Sequence, residues 1–404
     1  MRLFTALLVF VLIVGCKQDF SETLKPGSYR VMMDLSDNQV LPFNISVKEG
    51  SVINIYNGKE VITTDLVTFF NDSIKINFPV YEGYIVGAYK NGNITDAKYI
   101  KESLNRIVPV RFMYGENNRF IDRLEPKVDV TGEWEMNFIE EDGSSYTGKG
   151  IFEQVEHGIL RGTIRTTTGD YRYLDGVTSK DKIKLSTFDG AHAFLFTGNV
   201  KDSVLEGTFY SGNHYKANFT ATRNDNYELP DANSLTYLKE GYDKVEFSFP
   251  DENGTMVSLE DERFKDKVVL VQIMGTWCPN CLDESRFYSE YYQEHANEDL
   301  EIIALAFEYA KTEERAINNI KRLREHTGIT YPILLAQVGT SSKSKANEKL
   351  PMLNHVLSYP TTLFIDKKGE ARKIHTGFNG PATGKKYTEF VTEFESFVDQ
   401  LLKE

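Results

Sequence analysis

The stretch from Val269 to Glu284 constrains the fold more than any other part of the chain. It reads Val-Leu-Val-Gln-Ile-Met-Gly-Thr-Trp-Cys-Pro-Asn-Cys-Leu-Asp-Glu: an apolar run of strand type, a break at Gly275 and two cysteines that open a helical pattern. A cysteine at a helix N-terminus meets the positive end of the helix dipole and unpaired N–H groups, which favour its thiolate. The pattern therefore predicts that Cys278 is a nucleophile and that Cys281 is close enough to form a disulfide with it.

The beginning of the chain has the features of an export signal. Met1-Arg2 precedes an apolar run that ends at Cys16, which is too short to span a bilayer comfortably but suits the apolar region of a signal peptide. Ile13-Val14-Gly15-Cys16 resembles the lipobox of bacterial lipoproteins, which implies that residues 1–16 are a lipoprotein signal with a lipidated Cys16. Residues 17–25 would then form a polar tether. An ordinary secretory signal with an incidental cysteine is the alternative.

The cysteine count bears on the role of the pair. One of the three cysteines is assigned to lipid attachment, which leaves Cys278 and Cys281 as the only pair and leaves no structural disulfide. The pair is therefore predicted to take part in redox chemistry. The net charge of −13 argues against nucleic acid as a partner, since no basic cluster offsets the repulsion from phosphates.

Residues 26–228 are predicted to be β-rich. Apolar and polar residues alternate in short runs that are separated by turn dipeptides such as Asn57-Gly58 and Asn91-Gly92. Only a brief stretch near Asp96 to Arg106 has a helical pattern. An antiparallel barrel or sandwich is the expected architecture.

The β-rich region divides into two halves, near 26–125 and 131–225, whose relationship the sequence leaves open. Asp72 to Phe78 and Asp181 to Ser186 are similar runs, and Gly132-Glu133-Trp134 resembles the opening of lipocalin-type barrels. Alternating Lys and Ile residues are common in any half-exposed strand. An internal duplication and a coincidence are therefore both compatible with the similarity.

Two polar-aromatic segments of the second half contain Asp170, Arg172, Asp189 and His192. These side chains either line a ligand or partner surface or form buried pairs that close turns. We favour buried pairs, although one sequence does not separate the two interpretations.

The C-terminal part of the chain has a different pattern. Leu229 to Ser234 combines a proline with small polar residues and indicates a linker at 229–242. From residue 243 to 404, strand and helix patterns alternate, which predicts an α/β fold: a largely parallel sheet with crossover helices that ends in an antiparallel hairpin, the order found in thioredoxin. The predicted strands are 245–249, 256–259, 267–274, 300–307, 331–335, 361–366 and 371–376, and the predicted helices are 281–295, 312–326 and 387–403.

Four motifs in residues 243–404 point to one family. They are Trp277-Cys278-x-x-Cys281, Tyr359-Pro360-Thr361-Thr362, Asp366-Lys367-Lys368-Gly369 and a Phe247-x-Phe249 start with its Gly254 turn. With these motifs the region resembles the membrane-tethered, extracytoplasmic thioredoxin-like family represented by the TlpA and ResA disulfide reductases. The resemblance covers about two-fifths of the chain. The β-rich remainder is similar only to a partner domain found fused to such units in bacterial lipoproteins.

The resemblance implies roles for five residues. Cys278, expected to be the less enclosed cysteine, attacks a substrate disulfide, and Cys281 resolves the mixed disulfide. Pro360 is expected in a cis peptide bond beside the cysteines. Tyr359 and Trp277 would form a shallow aromatic platform for the substrate. An ordinary trans proline and simple aromatic packing are the alternatives.

A carboxylate is expected near the resolving cysteine. Thioredoxin has a buried aspartate on the preceding strand, where this chain has Gln272, whereas the ResA-like family uses a glutamate three residues past the second cysteine, which here is Glu284. With a raised pKa, Glu284 would take a proton from the resolving thiol and return it. The alternative is a first-turn acid on a solvated helix face. Pro279-Asn280 differs from many family members, so the redox potential is left open.

Two other chemistries fit the motif less well. A zinc site needs four ligands, and the chain has neither a second cysteine pair nor suitably spaced histidines. A peroxiredoxin-type peroxidase has Pro-x-x-x-Thr-x-x-Cys, whereas Val271 and Gly275 occupy the proline and threonine positions here. We therefore expect no metal, and the exchange chemistry needs no cofactor.

The sequence thus predicts a lipid-anchored protein of the bacterial cell envelope, facing the periplasm, that exchanges disulfides through Cys278 and Cys281. The family resemblance favours reduction of disulfides in exported proteins and implies a membrane thiol transporter as the electron donor. The alternatives are a ligand- or protein-binding lipoprotein whose redox site is regulatory, and a thiol peroxidase.

Overall fold

The computed structural model describes residues 23–121, 123–295 and 299–404. The predicted lipoprotein signal and Cys16 lie outside these ranges. Among the helices in the described ranges, none combines the length and the apolar character of a membrane span.

The first unit is an antiparallel sheet of nine strands. In spatial order it runs β4-β3-β2-β1-β9-β8-β7-β6-β5, so the first and last strands of the unit pair at its centre. Alternate residues are buried on several of the strands, as Val31 and Met33 are on β1, and they share a core with Phe188 and Leu195 of the second unit. The strands are β1 (Gly27–Asp34), β2 (Val40–Val47), β3 (Ile53–Asn57), β4 (Glu60–Thr64), β5 (Val67–Phe70), β6 (Ser73–Asn77), β7 (Tyr84–Lys90), β8 (Asn93–Lys101) and β9 (Arg106–Tyr114).

The helical pattern near Asp96 to Arg106 is a wrong prediction. Most of this stretch belongs to β8, and only a single 3-10 turn follows it. The strand pairing shifts register between Val86 and Ala88 of β7, and Asp96 has a φ of +49°, in the left-handed region. This β-bulge places the buried residues Ile94 and Ala97 three positions apart, a spacing that imitates a helix.

The second unit is a closed antiparallel barrel, which confirms the expected β-rich architecture. Because β11 pairs with both β10 and β12, eight strands form a continuous ring, with the short β13 beside β12. Trp134 lies in its core and donates from its indole nitrogen to the carbonyl oxygen of Val130 at 2.9 Å. The strands are β10 (Gly132–Glu140), β11 (Ser145–Gln154), β12 (Ile159–Thr166), β13 (Gly169–Asp170), β14 (Leu174–Ser179), β15 (Lys182–Phe188), β16 (Ala193–Lys201), β17 (Val204–Ser211) and β18 (Tyr215–Arg223). An internal duplication of the two halves stays a prediction.

The C-terminal domain has the expected thioredoxin-like architecture. Its five-stranded sheet has the order β23-β22-β21-β24-β25, in which β21, β22 and β23 are parallel and β24 and β25 are antiparallel to their neighbours. The strands are β19 (Ser248–Pro250), β20 (Met256–Ser258), β21 (Val268–Met274), β22 (Leu300–Phe307), β23 (Ile333–Gln337), β24 (Thr361–Ile365) and β25 (Ala371–Thr376). The helices are α1 (Ala232–Leu235), α2 (Pro279–Glu294), α3 (Glu313–Thr327), α4 (Lys343–Lys349) and α5 (Lys385–Lys403).

Two short helices were not predicted. α1 lies within the predicted linker 229–242, where Asp231 caps it by accepting from the backbone N–H of Asn233. α4 has one buried residue, Ala346, so it lacks the apolar periodicity that identifies longer helices. By contrast, every residue of β21 is buried, which explains why its apolar run stands out in the sequence.

The three units pack on one another. Val80 and Tyr81 of the first unit and Ala191 of the barrel belong to the hydrophobic core of the C-terminal domain. The β-rich units therefore contact the domain that carries the cysteine pair, and the contact lies close to that pair.

Candidate active site

The two cysteines lie at the start of helix α2, one helical turn apart. Cys278 is the N-cap residue, and its sulfur accepts a hydrogen bond of 3.2 Å from the backbone N–H of Cys281. The Cys278 thiol donates to the carbonyl oxygen of Tyr359 at 3.3 Å. Since the exposed fraction is 7% for Cys278 and 0% for Cys281, Cys278 is the less enclosed residue, yet both are buried.

Pro360 and two aromatic residues lie beside the pair. The Tyr359–Pro360 peptide bond is cis, as the family resemblance predicted. The rings of Trp277 and Tyr359 meet edge to face with their centroids 5.6 Å apart, and the Trp277 indole donates to the carbonyl oxygen of Phe307 at 2.9 Å. The structure brings these residues together around Cys278, while their roles in binding substrate stay predictions.

Glu284 lies one helical turn beyond Cys281 and is fully buried, so it does not face solvent. Its carboxylate accepts hydrogen bonds from Gln272 at 2.8 Å, Thr362 at 3.1 Å and Tyr288 at 3.3 Å. Burial raises the pKa of Glu284 to about 7, although the three hydrogen bonds favour the ionised form. A carboxyl group with this pKa can exchange a proton at neutral pH.

Cys281 is held in its neutral form. Burial raises the pKa of the Cys281 thiol well above its usual range, and the nearby Cys278 and Glu284 raise it further. Cys281 therefore needs a proton acceptor before it attacks a disulfide. Glu284 is close enough to influence its charge and lies on the same helix.

A second buried acid, Glu308, was missed by the sequence analysis. Its carboxylate accepts from the backbone N–H of Thr276 at 2.7 Å and from the hydroxyl of Thr276 at 2.8 Å, so it fixes the loop that leads into Cys278. Burial raises the pKa of Glu308 to about 7. The signal was available, because Glu308 directly follows the apolar strand β22, whose carboxyl end lies at the same sheet edge as that of β21.

The hairpin formed by β12 and β13, together with the residues that follow it up to Arg172, covers the cysteine motif. The side chain of Asn280, between the two cysteines, donates to the carbonyl oxygen of Asp170 at 3.0 Å. Ser358, two residues before Pro360, donates to the carbonyl oxygen of Thr168 at 2.7 Å. The backbone N–H of Gly380 donates to the Asp170 carboxylate at 2.6 Å. The start of helix α2, the loop before Pro360 and the loop at Gly380 thus each bind the same hairpin.

Arg172 anchors this hairpin through a buried cluster of charges. Its guanidinium contacts the carboxylates of Asp283 on helix α2 and of Glu60 on β4, and its Nε lies 3.4 Å from a carboxylate oxygen of Asp189. It also donates to the carbonyl oxygen of Pro279 at 3.2 Å. One arginine therefore connects all three units next to the active-site helix.

These contacts decide between the two interpretations of the polar-aromatic segments. Asp170, Arg172 and Asp189 are buried, as favoured, and His192 is half-buried with its Nδ1 3.2 Å from Asp189. The buried groups do more than close turns, because Asp170 and Arg172 bind the C-terminal domain of the same chain. Sequence reasoning did not identify this partner, since the contacts join residues more than 100 positions apart.

In the described ranges, no group of three or more His, Cys, Asp or Glu side chains is placed to hold an ion. The groups near the cysteine sulfurs include the Tyr359 carbonyl, the Cys281 N–H, the Glu284 carboxyl and the Lys343 ammonium. This arrangement suits the transfer of electrons between a dithiol and a disulfide.

Comparison with known proteins identifies relatives of the C-terminal domain. Residues 241–374 match the family model described as the AhpC/TSA family. The thioredoxin-like protein YneN of Bacillus subtilis is 29% identical over 140 residues, which are 35% of this chain and 73% of YneN. The thiol-disulfide oxidoreductase ResA of Geobacillus thermodenitrificans is 28% identical over 142 residues, 35% of this chain and 72% of ResA. The structure of a thiol-disulfide oxidoreductase from Bacteroides fragilis aligns with 37% of this chain and 99% of its own chain, at 18% identity and a TM-score of 0.28.

Proposed function

We propose that this chain, whose C-terminal domain is a TlpA/ResA-like thioredoxin-family domain, is a membrane-anchored thiol-disulfide oxidoreductase that reduces disulfides in exported proteins. The observation that carries the proposal is the arrangement of Cys278, Cys281 and Glu284 along the first turns of α2. The first cysteine caps the helix, the second is buried and neutral, and a buried acid with a pKa of about 7 follows one turn later.

The first step is attack by the Cys278 thiolate on one sulfur of the substrate disulfide. The substrate S–S bond breaks, one substrate thiolate leaves, and a mixed disulfide joins Cys278 to the other substrate sulfur. The helix N-terminus and the Cys281 N–H stabilise the negative charge on the attacking sulfur.

The second step resolves the mixed disulfide. Cys281 loses its proton towards the Glu284 carboxylate and attacks the Cys278 sulfur, so the second substrate thiolate leaves and Cys278–Cys281 becomes a disulfide. Two electrons have then passed from the protein to the substrate. A membrane thiol donor would return the pair to the dithiol form, and no bound cofactor is required.

The proposed direction and location are supported by the family resemblance and the lipobox. The resemblance favours reduction over oxidation, and the predicted lipidation at Cys16 would hold the protein on the periplasmic face of an envelope membrane. Asn280 and Pro279 lie between the two cysteines and are the residues expected to tune the redox potential.

A second function is supported by the covering hairpin. If the β-rich units bind a ligand or protein, the redox site beneath them would serve regulation, because Asn280 and Ser358 are already bound by the barrel. A thiol peroxidase is less compatible, since Val271 and Gly275 replace the proline and threonine of the peroxidase motif.

Insulin reduction separates the two functions. Full-length protein in detergent is expected to accelerate the reduction of insulin by dithiothreitol, and Cys278→Ser is expected to return the rate to background. Equal rates for the wild type and the variant would contradict an oxidoreductase function and leave the binding function.

A further inference from the structure

A cavity of about 240 Å³ lies where the first sheet, the barrel and the C-terminal domain meet. Each unit supplies part of the wall, so the cavity exists only when all three are assembled. The residues that matter for its chemistry are Lys101 and Arg106 from the first unit, His192 and His214 from the barrel, and Trp277 and Tyr309 from the C-terminal domain. Trp277, which lines the cavity, is the residue that directly precedes Cys278.

The wall carries two cations and no carboxylate. Within the described ranges, the guanidinium of Arg106 has neither a hydrogen-bond acceptor nor an ion-pair partner. The Lys101 ammonium donates to the carbonyl oxygen of Ala191 and has no carboxylate partner among the same residues. The nearby Asp189 does not line the cavity and is occupied by Arg172 and His192. The carboxylates of Asp189 and Glu82 act on Lys101 from outside the wall, so the two cations border a partly enclosed space that holds no anion of the chain.

The neighbouring groups respond to this positive charge. The pKa of His214 is lowered to about 4 by burial and by the charges of Arg106 and Lys101. Burial also lowers the pKa of Lys101 to about 8; the carboxylates of Asp189 and Glu82 oppose this shift and the charge of Arg106 adds to it. An anion that enters the cavity would relieve both effects, because it would compensate the two cations at close range.

We propose that this cavity binds a carboxylate of the disulfide substrate, so that the protein selects disulfides with an acidic side chain beside the cysteine. The inference rests on the proposed oxidoreductase function and adds the substrate class. The volume is below the range of about 300–1,000 Å³ of drug-sized ligand pockets, so it accommodates a side chain or two and not a large cofactor. Since the whole chain has a net charge of −13, long-range attraction does not account for a preference for anions.

This assignment gives the β-rich units a part in substrate selection. Trp277 separates the cavity from the nucleophile by one residue, so an acidic side chain in the cavity would place a neighbouring disulfide near Cys278. Cations of the first unit would then determine which disulfides react at the C-terminal domain.

The test uses two synthetic disulfide peptides that differ only by Glu or Gln beside the cysteine. The reduced full-length protein in detergent is mixed with each peptide, and the single-turnover second-order rate constant is measured, so no added reductant is needed. The Glu peptide is expected to react about tenfold faster, the factor that corresponds to about 1.4 kcal/mol. Binding of thioether analogues, which cannot be reduced, is measured by calorimetry and is expected to show the same preference.

Variants test whether Arg106 causes the preference for the Glu peptide. Arg106→Gln is expected to abolish it and Arg106→Lys to retain most of it. Arg111→Gln is the matched control, because it removes the same charge from the same strand. Arg111 is exposed and is paired with Asp34 at 2.6 Å. Equal rates and affinities for the Glu and Gln peptides in the wild type would overturn the inference, as would equal effects of Arg106→Gln and Arg111→Gln. Selective binding of the Glu thioether without any disulfide reduction would instead contradict the oxidoreductase function and support the anion site.

Discussion

The side-chain amide of Gln272 donates a 2.8 Å hydrogen bond to the carboxylate of Glu284, and both residues are fully buried. Gln272 occupies the place on the strand where thioredoxin has its acid. In this chain the Gln272 amide binds the carboxylate of Glu284, which lies on helix α2. The oxygen of the Gln272 amide accepts from Ser285 at 3.2 Å, which fixes the orientation of the side chain. The acid thus lies on the helix instead of the strand and remains close to Cys281.

Glu284→Gln is expected to flatten the pH dependence of disulfide exchange between about pH 6 and 9, because the variant lacks the proton acceptor with a pKa of about 7. The measurement is the rate of exchange with a model disulfide across this range. Glu290→Gln is the matched control, since it makes the same change at an exposed position on the same helix. If Glu284→Gln keeps the wild-type profile, Glu284 is a structural residue and the proton goes elsewhere.

Glu308→Gln is expected to change how stability depends on pH. The pKa of Glu308 is raised from 4.5 to about 7 in the folded protein, so the folded state holds the proton more tightly than the unfolded state. The resulting stabilisation is complete below pH 4.5 and is lost as the pH rises to about 7, which corresponds to about 3 kcal/mol. Chemical denaturation at pH 5 and pH 8 should therefore show a smaller loss of unfolding free energy for Glu308→Gln than for the wild type. An equal loss in both proteins would show that Glu308 does not titrate in this range.

Arg172→Gln is expected to expose Cys278. The change leaves the carboxylates of Glu60, Asp189 and Asp283 without their shared cation, and removing one partner of a buried ion pair costs about 3–5 kcal/mol. The hairpin should then detach more often, and the rate at which iodoacetamide alkylates Cys278 should rise about tenfold or more.

The alkylation is measured in a Cys281→Ser background, so that Cys278 is the only thiol of the pair that can be alkylated. Arg161→Gln serves as the control, because Arg161 is also on the barrel but its side chain is 43% exposed and lies 3.9 Å from its partner Asp175. A lower melting temperature with an unchanged alkylation rate would mean that Arg172 stabilises the fold without controlling access to Cys278.

Much of the C-terminal domain was predictable because its signals are local. The apolar run of β21, the cysteines at the start of α2 and the glutamate at the next turn all lie within Val268 to Glu294. Short-range spacing on a strand or helix determines which of these residues are neighbours, so one sequence is enough to place them. The predicted strand β22 and hairpin strand β25 have the observed bounds for the same reason.

The contacts around the motif were not predictable in this way. Asn280 meets Asp170, and Arg172 meets Glu60 and Asp283, only after three units have packed together. The β-bulge at Asp96 likewise changes the spacing of buried residues without a pattern that a strand rule recognises. The cover over Cys278 and the cation-lined cavity beside Trp277 are therefore properties of the assembled chain.

The measurement that tests the central claim most directly is the capture of a mixed disulfide by Cys281→Ser. Without the resolving thiol, the reaction should stop after the first step. Mass spectrometry of the full-length variant mixed with a disulfide peptide should then show one peptide attached through Cys278, and Cys278→Ser should show none. Attachment at Cys281 in Cys278→Ser at the same rate, or no adduct in either variant, would contradict the assignment of Cys278 as the nucleophile of a thiol-disulfide oxidoreductase.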